Sequence, residues 1–162
     1  MNLWNYYNNK SNQLKYPNVL NHTHEKEIAK TNPKWAYEYT SEHGKDKELE
    51  PIITKSPKYS YFYAKNILRG PFRLGEKTIA TDAQYSYFYV RYILNDKFSL
   101  GEPAIAKDSY YSYRYAKIIL NGPFKLGELV IAKSTEYSKK YTQEVLKKDF
   151  YLDGKLICKY EG

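Results

Sequence analysis

Residues 59–76 read YSYFYAKNILRGPFRLGE, residues 85–102 read YSYFYVRYILNDKFSLGE, and residues 111–128 read YSYRYAKIILNGPFKLGE. The same text returns every 26 residues, and self-similarity at a fixed period marks a repeat architecture ahead of any local reading. With Tyr59 as slot 1 of a 26-slot unit, slot 1 holds Tyr59, Tyr85, Tyr111 and Tyr137. Slot 5 holds Tyr37, Tyr63, Tyr89, Tyr115 and Tyr141; slot 10 holds Leu68, Leu94, Leu120 and Leu146. Slot 14 holds Phe72, Phe98, Phe124 and Phe150, and slot 16 holds Leu74, Leu100, Leu126 and Leu152. Slot 21 is isoleucine throughout: Ile53, Ile79, Ile105, Ile131 and Ile157.

The units therefore run 33–58, 59–84, 85–110, 111–136 and 137–162. The first is divergent, with WAYEY in place of YSYFY and a charged SEHGKDKELE over residues 41–50. Residues 1–32 read as an irregular N-terminal cap or a degenerate unit, as expected where a stack ends against water.

Alternating tyrosines at slots 1, 3 and 5 are a strand signal, but the punctuation is helical. Slot 24 holds Ser56, Asp82, Asp108 and Ser134, all good N-cap residues, and Pro57 stands at a first helical position. Gly70 and Gly122 at slot 12 each precede a proline, which predicts a helix stop. Slots 25 to 11 are therefore expected to form a helix A of about three turns. The GE-x-x-I-A text is expected to form a helix B of about two turns, with Glu50, Glu76, Glu102 and Glu128 near its positive end. The predicted fold is all-α, an α-solenoid of five two-helix units. A chain of β-hairpins is the alternative, and FYLDGKLICKYEG at residues 150–162 reads that way locally.

The segments SYFYAKNIL, SYFYVRYIL and SYRYAKIIL, paired with EKTIA, EPAIA and ELVIA, resemble a family of short tandem two-helix repeats. Proteins of that kind occur in phage and mobile-element genomes and in long repeat proteins of giant viruses and protists. The resemblance covers residues 57–162, more weakly 33–56, and not 1–32. It implies a helical solenoid and a viral or mobile-element origin. It supplies no catalytic residues, because most members have no assigned activity.

The chain has 162 residues, a formal charge of +8 and 20 tyrosines. A basic balance suits an anionic partner and equally suits solubility; the excess is spread thinly, without a basic tail. A lone Cys158 excludes an internal disulfide framework and fits a reducing compartment. The start MNLWNYYNNK lacks the apolar core of a signal peptide, and no apolar run is long enough to span a membrane. A soluble, cytoplasmic protein is expected, with no membrane partner.

At 100° per residue, slots 2, 3, 6, 9 and 10 share one face of helix A, with slot 5 at its margin. Together with Phe at slot 14, Leu at slot 16 and Ile-Ala at slots 21 and 22, these are the expected core, with tyrosine hydroxyls at its rim. The opposite face is the expected partner-binding surface: Phe62, Lys65, Arg69, Phe88, Arg91, Tyr92, Arg114 and Lys117. Exposed Phe62 and Phe88 are its most telling members, because large aromatics facing water mark interfaces. A protein with an acidic surface is the favoured partner. A single-stranded nucleic acid would use the same basic and aromatic row, and self-association through the aromatics is a third reading.

Chemistry is not announced. HTHEKE at residues 22–27 alternates its ligand types and does not converge on one helix face, so no metal site is expected there. His43 sits in charged text without an evident partner, and Cys158 takes the alanine place of slot 22 as a small buried residue. The glycines of GPFRLGE and GPFKLGE lack the spacing of a phosphate loop. No enzyme, no catalytic residue and no cofactor is expected.

Overall fold

Helix starts in the computed structural model, which describes residues 22–162, are set by short polar side chains. Asn32, Ser56, Asp82, Asp108 and Ser134 have extended backbone, and their side chains accept the N–H of Trp35, Tyr59, Tyr85, Tyr111 and Tyr137. Each satisfies a donor that the first helical turn leaves without a partner. Four of these caps are the slot-24 residues. Asn32 stands at slot 26 of the preceding text, so cap-to-cap spacing is two residues shorter in the divergent unit. Tyr39, seven residues after its cap, therefore takes the buried place that Tyr63 takes seven residues after Ser56, and Tyr37 does not.

The chain divides into two compact units, one ending at Thr78 and one from Ile79 to Gly162. The described part of the first holds α1 (His22–Ala29), α2 (Pro33–His43), α3 (Glu50–Ile53) and α4 (Pro57–Phe62). α4 continues as a π-helical turn over Tyr63–Leu68, and a 3-10 turn at Arg73–Gly75 leads into α5 (Glu76–Ile79). α2 packs on α1, α3 and α4. Lys26 and Lys30 both bind Glu48 and hold its carboxyl down at about 2.

The second unit holds α6 (Ala83–Tyr89) with a π turn over Val90–Leu94, then α7 (Glu102–Ile105). α8 (Ser109–Tyr115) continues as a π turn over Ala116–Leu120, and a 3-10 turn at Lys125–Gly127 opens α9 (Glu128–Ala132). α10 (Thr135–Tyr141) has its own π turn, Thr142–Leu146. α6 packs on α7, α8 packs on α9, and α8 packs on both α6 and α10. The helix pairs expected from the repeat are present.

Helix B is shorter than expected, one turn of four or five residues. The last unit has none. Its place is taken by an antiparallel hairpin, β1 (Phe150–Leu152) and β2 (Lys155–Cys158). Asp153 and Gly154 both take positive φ, 49° and 78°, the requirement of a two-residue hairpin turn. That local turn chemistry overrides the helical expectation for the final 13 residues. Cys158 is half-buried on a strand, and the slot-22 alanines Ala80, Ala106 and Ala132 are half-buried too, so slot 22 is not the core position expected.

The C-terminal half of helix A also departs from expectation. At slot 6 the carbonyls of Val90 and Thr142 accept the N–H five residues on, from Asn95 and Lys147, closing π turns. Ala64 and Ala116 accept from Gly70 and Gly122, six residues on. The chain then leaves the helix through a left-handed residue at slot 11: Arg69, Asn95, Asn121 or Lys147, with φ of 47–54°. The glycine after it only donates to the last turn. The widened turn rotates slots 9 and 10 partly out of the core, so Ile67, Leu68, Ile93 and Leu94 are half-buried. From residue 59 on, slots 2, 5 and 6 are buried, as is slot 3 except at Lys139.

Glycine at slot 17 is dictated by close approach. A Cβ on Gly101 would lie 2.5 Å from the Phe98 ring and 2.8 Å from Ser86 Cβ, and Gly75 and Gly127 are equally hemmed in. Gly101→Ala should therefore cost about 1–3 kcal/mol through overpacking. Gly122→Ala, whose Cβ would meet nothing nearer than 3.8 Å, should change stability by less than about 1 kcal/mol. Urea unfolding of the two variants checks the contrast.

Candidate functional site: a tyrosine belt with basic residues

Two sets of tyrosines do different work. Slot 5 is buried completely: Tyr63, Tyr89, Tyr115 and Tyr141 have no exposed surface. Their rings pack on slot-14 phenylalanines, with Tyr141 against Phe150, Tyr115 against Phe124 and Tyr89 against Phe98, centroids 5.0–5.3 Å apart. The Tyr141 hydroxyl accepts the Phe124 N–H at 3.0 Å and donates to Glu128 Oε1 at 2.9 Å. Tyr115 donates likewise to Glu102 at 2.8 Å, and Tyr63 to Glu50 at 3.0 Å. These hydroxyls are therefore satisfied inside the core and do not line its rim. Lys125 adds a bond to the buried Glu128, and Arg73 does the same for Glu76. The slot-18 glutamates are structural acceptors.

Slots 26, 1, 4 and 8 build a belt along the outer side of helix A, over the buried slot-3 tyrosines. In the second unit Phe88 lies 5.9 Å from Tyr92 and 6.2 Å from Tyr111; Tyr87 lies 5.7 Å from Tyr111. Tyr110 joins Tyr111 at 4.9 Å and Tyr137 at 5.7 Å, and Tyr113 stacks on Tyr137 at 5.9 Å. Cations cover the rings: Arg114 over Tyr110, Lys117 over Tyr113 and Lys140 over Tyr137, all within 6 Å. Tyr92 is 55% exposed and Tyr110 40%.

The residues expected to meet a partner take unequal places. Phe62 and Phe88 are half-buried, not exposed, because neighbouring rings cover them; Phe62 packs on Tyr37 and Tyr61. In the first unit Lys65 is exposed above the Tyr61 ring, and Arg69 is exposed at the left-handed exit of its helix. In the second, Arg91 and Tyr92 face water. Arg114 is half-buried; its Nε and the Tyr87 hydroxyl are both buried without a hydrogen bond of sound geometry. The Tyr87 hydroxyl beside it further favours the charged guanidinium. Lys117 is exposed but bound to Glu144, which also accepts from the Tyr113 hydroxyl. Lys117 first, then Tyr113, holds the Glu144 carboxyl below its ordinary range.

Sequence reasoning missed Tyr110, Tyr111 and Tyr137 as belt members, although the recurrence of tyrosine at slot 1 was visible; Tyr110 at slot 26 is unique to its repeat. It missed the partner of His43, whose Nε2 lies 3.3 Å from Glu25 and whose ring packs on Tyr39 at 4.4 Å. It also placed slot-16 leucine in the core, whereas Leu74, Leu100 and Leu126 are 56–57% exposed. The side chains of His22 and His24 lie outside the described residues, as do residues 1–21 of the expected N-terminal cap. Among the described residues no group of three His, Cys, Asp or Glu side chains is placed to hold a metal ion, and no helix is long and apolar enough to cross a membrane.

No family model, no curated protein and no solved structure matches the chain.

Removing the buried hydroxyl should be costly. Tyr141→Phe leaves the Phe124 amide and Glu128 Oε1 without their tyrosine partner, while Lys125 still holds the other carboxylate oxygen, with an expected loss of about 2 kcal/mol by urea unfolding. Ionisation gives an orthogonal check. Burial first, and the adjacent carboxylates, raise the Tyr63 and Tyr115 hydroxyls above the ordinary value of about 10, and burial raises Tyr141 likewise. The folded state holds these protons more tightly than the unfolded chain. Their stabilisation is thus fully present below about pH 10 and is lost as pH climbs above it toward the raised values. Tyrosinate absorbance should show a late-titrating class that ionises together with loss of helical circular dichroism.

Proposed function

We propose that this chain is a non-catalytic helical-repeat protein that binds a partner protein through the belt of tyrosines and basic residues on helix A. The observation that supports this reading best is the display of Tyr92 and Tyr110 beside Arg91 and Arg114 in the second unit, on a face the core does not need. Large rigid aromatics with arginine are the residues that carry binding energy at protein interfaces. An acidic partner surface suits the exposed cations, which would steer and orient its approach.

A protein is favoured over a nucleic acid by what the cations are doing. A phosphate track needs a free positive charge at regular intervals. Lys117 and Lys140 are instead bound by Glu144 and Glu136 of the same chain. The acids on this face interrupt the row, a pattern that suits a mosaic of charge and ring on a folded partner.

Selection of a displayed random peptide library on the purified protein tests the reading, with labelled single-stranded DNA as the competing probe. Acidic peptides should be enriched, and an Arg91→Glu/Tyr92→Ala variant should bind them at least tenfold more weakly. Micromolar binding of the DNA that falls steeply with salt and is lost in the same variant would replace the protein partner with a nucleic acid.

A further inference from the structure

The second unit displays another surface, aliphatic and separate in composition from the belt. Leu100 and Leu126, both at slot 16, are each 56% exposed, and Leu129, three residues past Leu126, is 55% exposed. Tyr151 is 54% exposed. Packing gives no reason for leucine at this slot, yet it is leucine in every one of the four repeats from residue 59 on. Its exposed neighbours have diverged: slot 15 is Arg73, Ser99, Lys125 and Tyr151, and slot 19 is Lys77, Pro103, Leu129 and Lys155. The backbone that carries these leucines is fixed from both sides. Phe98 and Phe124 at slot 14 are buried, and Gly101 and Gly127 at slot 17 have no room to shift. The leucines are thus held out to solvent by a clamped turn.

Exposed charge near them in the sequence is mostly positive, with Asp96 beside Lys97 as the exception. In segments 97–107 and 123–133 the exposed charged residues are Lys97, Lys107, Lys125 and Lys133; Glu102 is half-buried and Glu128 buried. Lys125 and Lys148 line a cleft of about 280 Å³ together with Leu146, Tyr151 and two acids, Glu128, which binds Lys125, and Asp149. Spacing narrows the occupant further. α7 packs against the 3-10 turn that carries Leu126, so Leu100 and Leu126 lie about one helix spacing apart, ~8–10 Å. Two turns of an α-helix advance ~10.5 Å, so apolar residues at i and i+7 of a crossing helix would meet both leucines.

From this spacing and charge we infer that the slot-16 leucine row of the second unit docks an acidic amphipathic helix of a partner protein. Its leucine-type residues at i, i+3, i+4 and i+7 cover Leu100, Leu126 and Leu129, and its flanking glutamates meet the lysines. The inference rests on the reading of this chain as a protein-binding repeat protein, and it adds a second contact surface to the tyrosine belt.

The test is fluorescence anisotropy of a labelled synthetic helix, leucine at i, i+3, i+4 and i+7 and glutamate on the remaining face, against the full chain. Micromolar binding should weaken at least tenfold in Leu126→Asp/Leu129→Asp and in Lys97→Glu/Lys133→Glu. It should be unchanged in Tyr92→Ala. The substituted side chains are exposed, so the melting temperature should hold, and the lysine variant reads the same surface if the leucine variant fails to fold. Three results would overturn the inference. One is no binding, or binding lost in Tyr92→Ala and kept in both other variants, which leaves the belt reading standing alone. Another is sedimentation with phosphatidylserine vesicles, abolished by Leu126→Asp/Leu129→Asp, in place of peptide binding. The last is a concentration-dependent mass abolished by the leucine variant, which makes the row an interface between copies.

Discussion

A phenol oxygen with two partners governs this molecule. The slot-5 tyrosine brings a large ring into the core, and its hydroxyl needs partners there, because an unpaired buried polar group costs about 1–3 kcal/mol. Tyr141 resolves this by accepting from the Phe124 amide and donating to Glu128, both on the preceding repeat. The bond therefore joins one repeat to the next, and it fixes several other residues. Phenylalanine at slot 14 gives its amide to the tyrosine of the next repeat and its ring to the tyrosine of its own, as Phe124 does to Tyr141 and Tyr115. Glutamate at slot 18 opens helix B, where its charge is favoured by the helix end. Glycine at slot 17 lets the turn sit against the serine of helix A. That serine in turn bonds back to the previous isoleucine carbonyl, as Ser86 to Ile79 and Ser112 to Ile105.

The π turns are part of this same geometry. A π-helical segment in one place would point to a functional site, but here one follows each capped helix from α4 onward, in step with the repeat. They belong to the architecture: the wider turn carries slots 9 and 10 partly out of the core and directs the chain into its left-handed exit. Among the described residues two features break the pattern. Asn32 caps its helix two residues out of phase, and in residues 137–162 a hairpin stands in place of helix B.

The parts of the fold legible in the sequence were those with local causes. Caps such as Asp82 and Asp108 are recognised from their own chemistry, as are Pro57 and the fixed-period isoleucines. What was not legible depends on partners remote in the chain. Nothing near Tyr115 announces that Glu102 waits for its hydroxyl, and a wheel drawn at 100° per residue cannot anticipate a π turn that starts at slot 6. Left-handed Arg69 and Lys147 were hidden because neither is a residue that favours that conformation, and at Arg69 the neighbouring Gly70 drew the helix stop one place too far. The basic and aromatic face was read from the correct helix. Its tone was wrong, since Phe62 and Phe88 sink into ring clusters and Lys117 is held by a glutamate in the next repeat. Leucine at slot 16 was misread for the opposite reason: its regularity resembled packing.

Amide hydrogen exchange at Phe124 tests the central claim most directly. This N–H lies in a connector outside any helix or strand, where exchange would ordinarily be fast, and its protection here comes from the Tyr141 hydroxyl. The account predicts exchange as slow as that of amides in the middle of α8, and exchange accelerated by orders of magnitude in Tyr141→Phe under conditions where that variant remains folded. Fast exchange at Phe124 in the unaltered protein, with α8 still protected, would show that the buried phenol does not join the repeats.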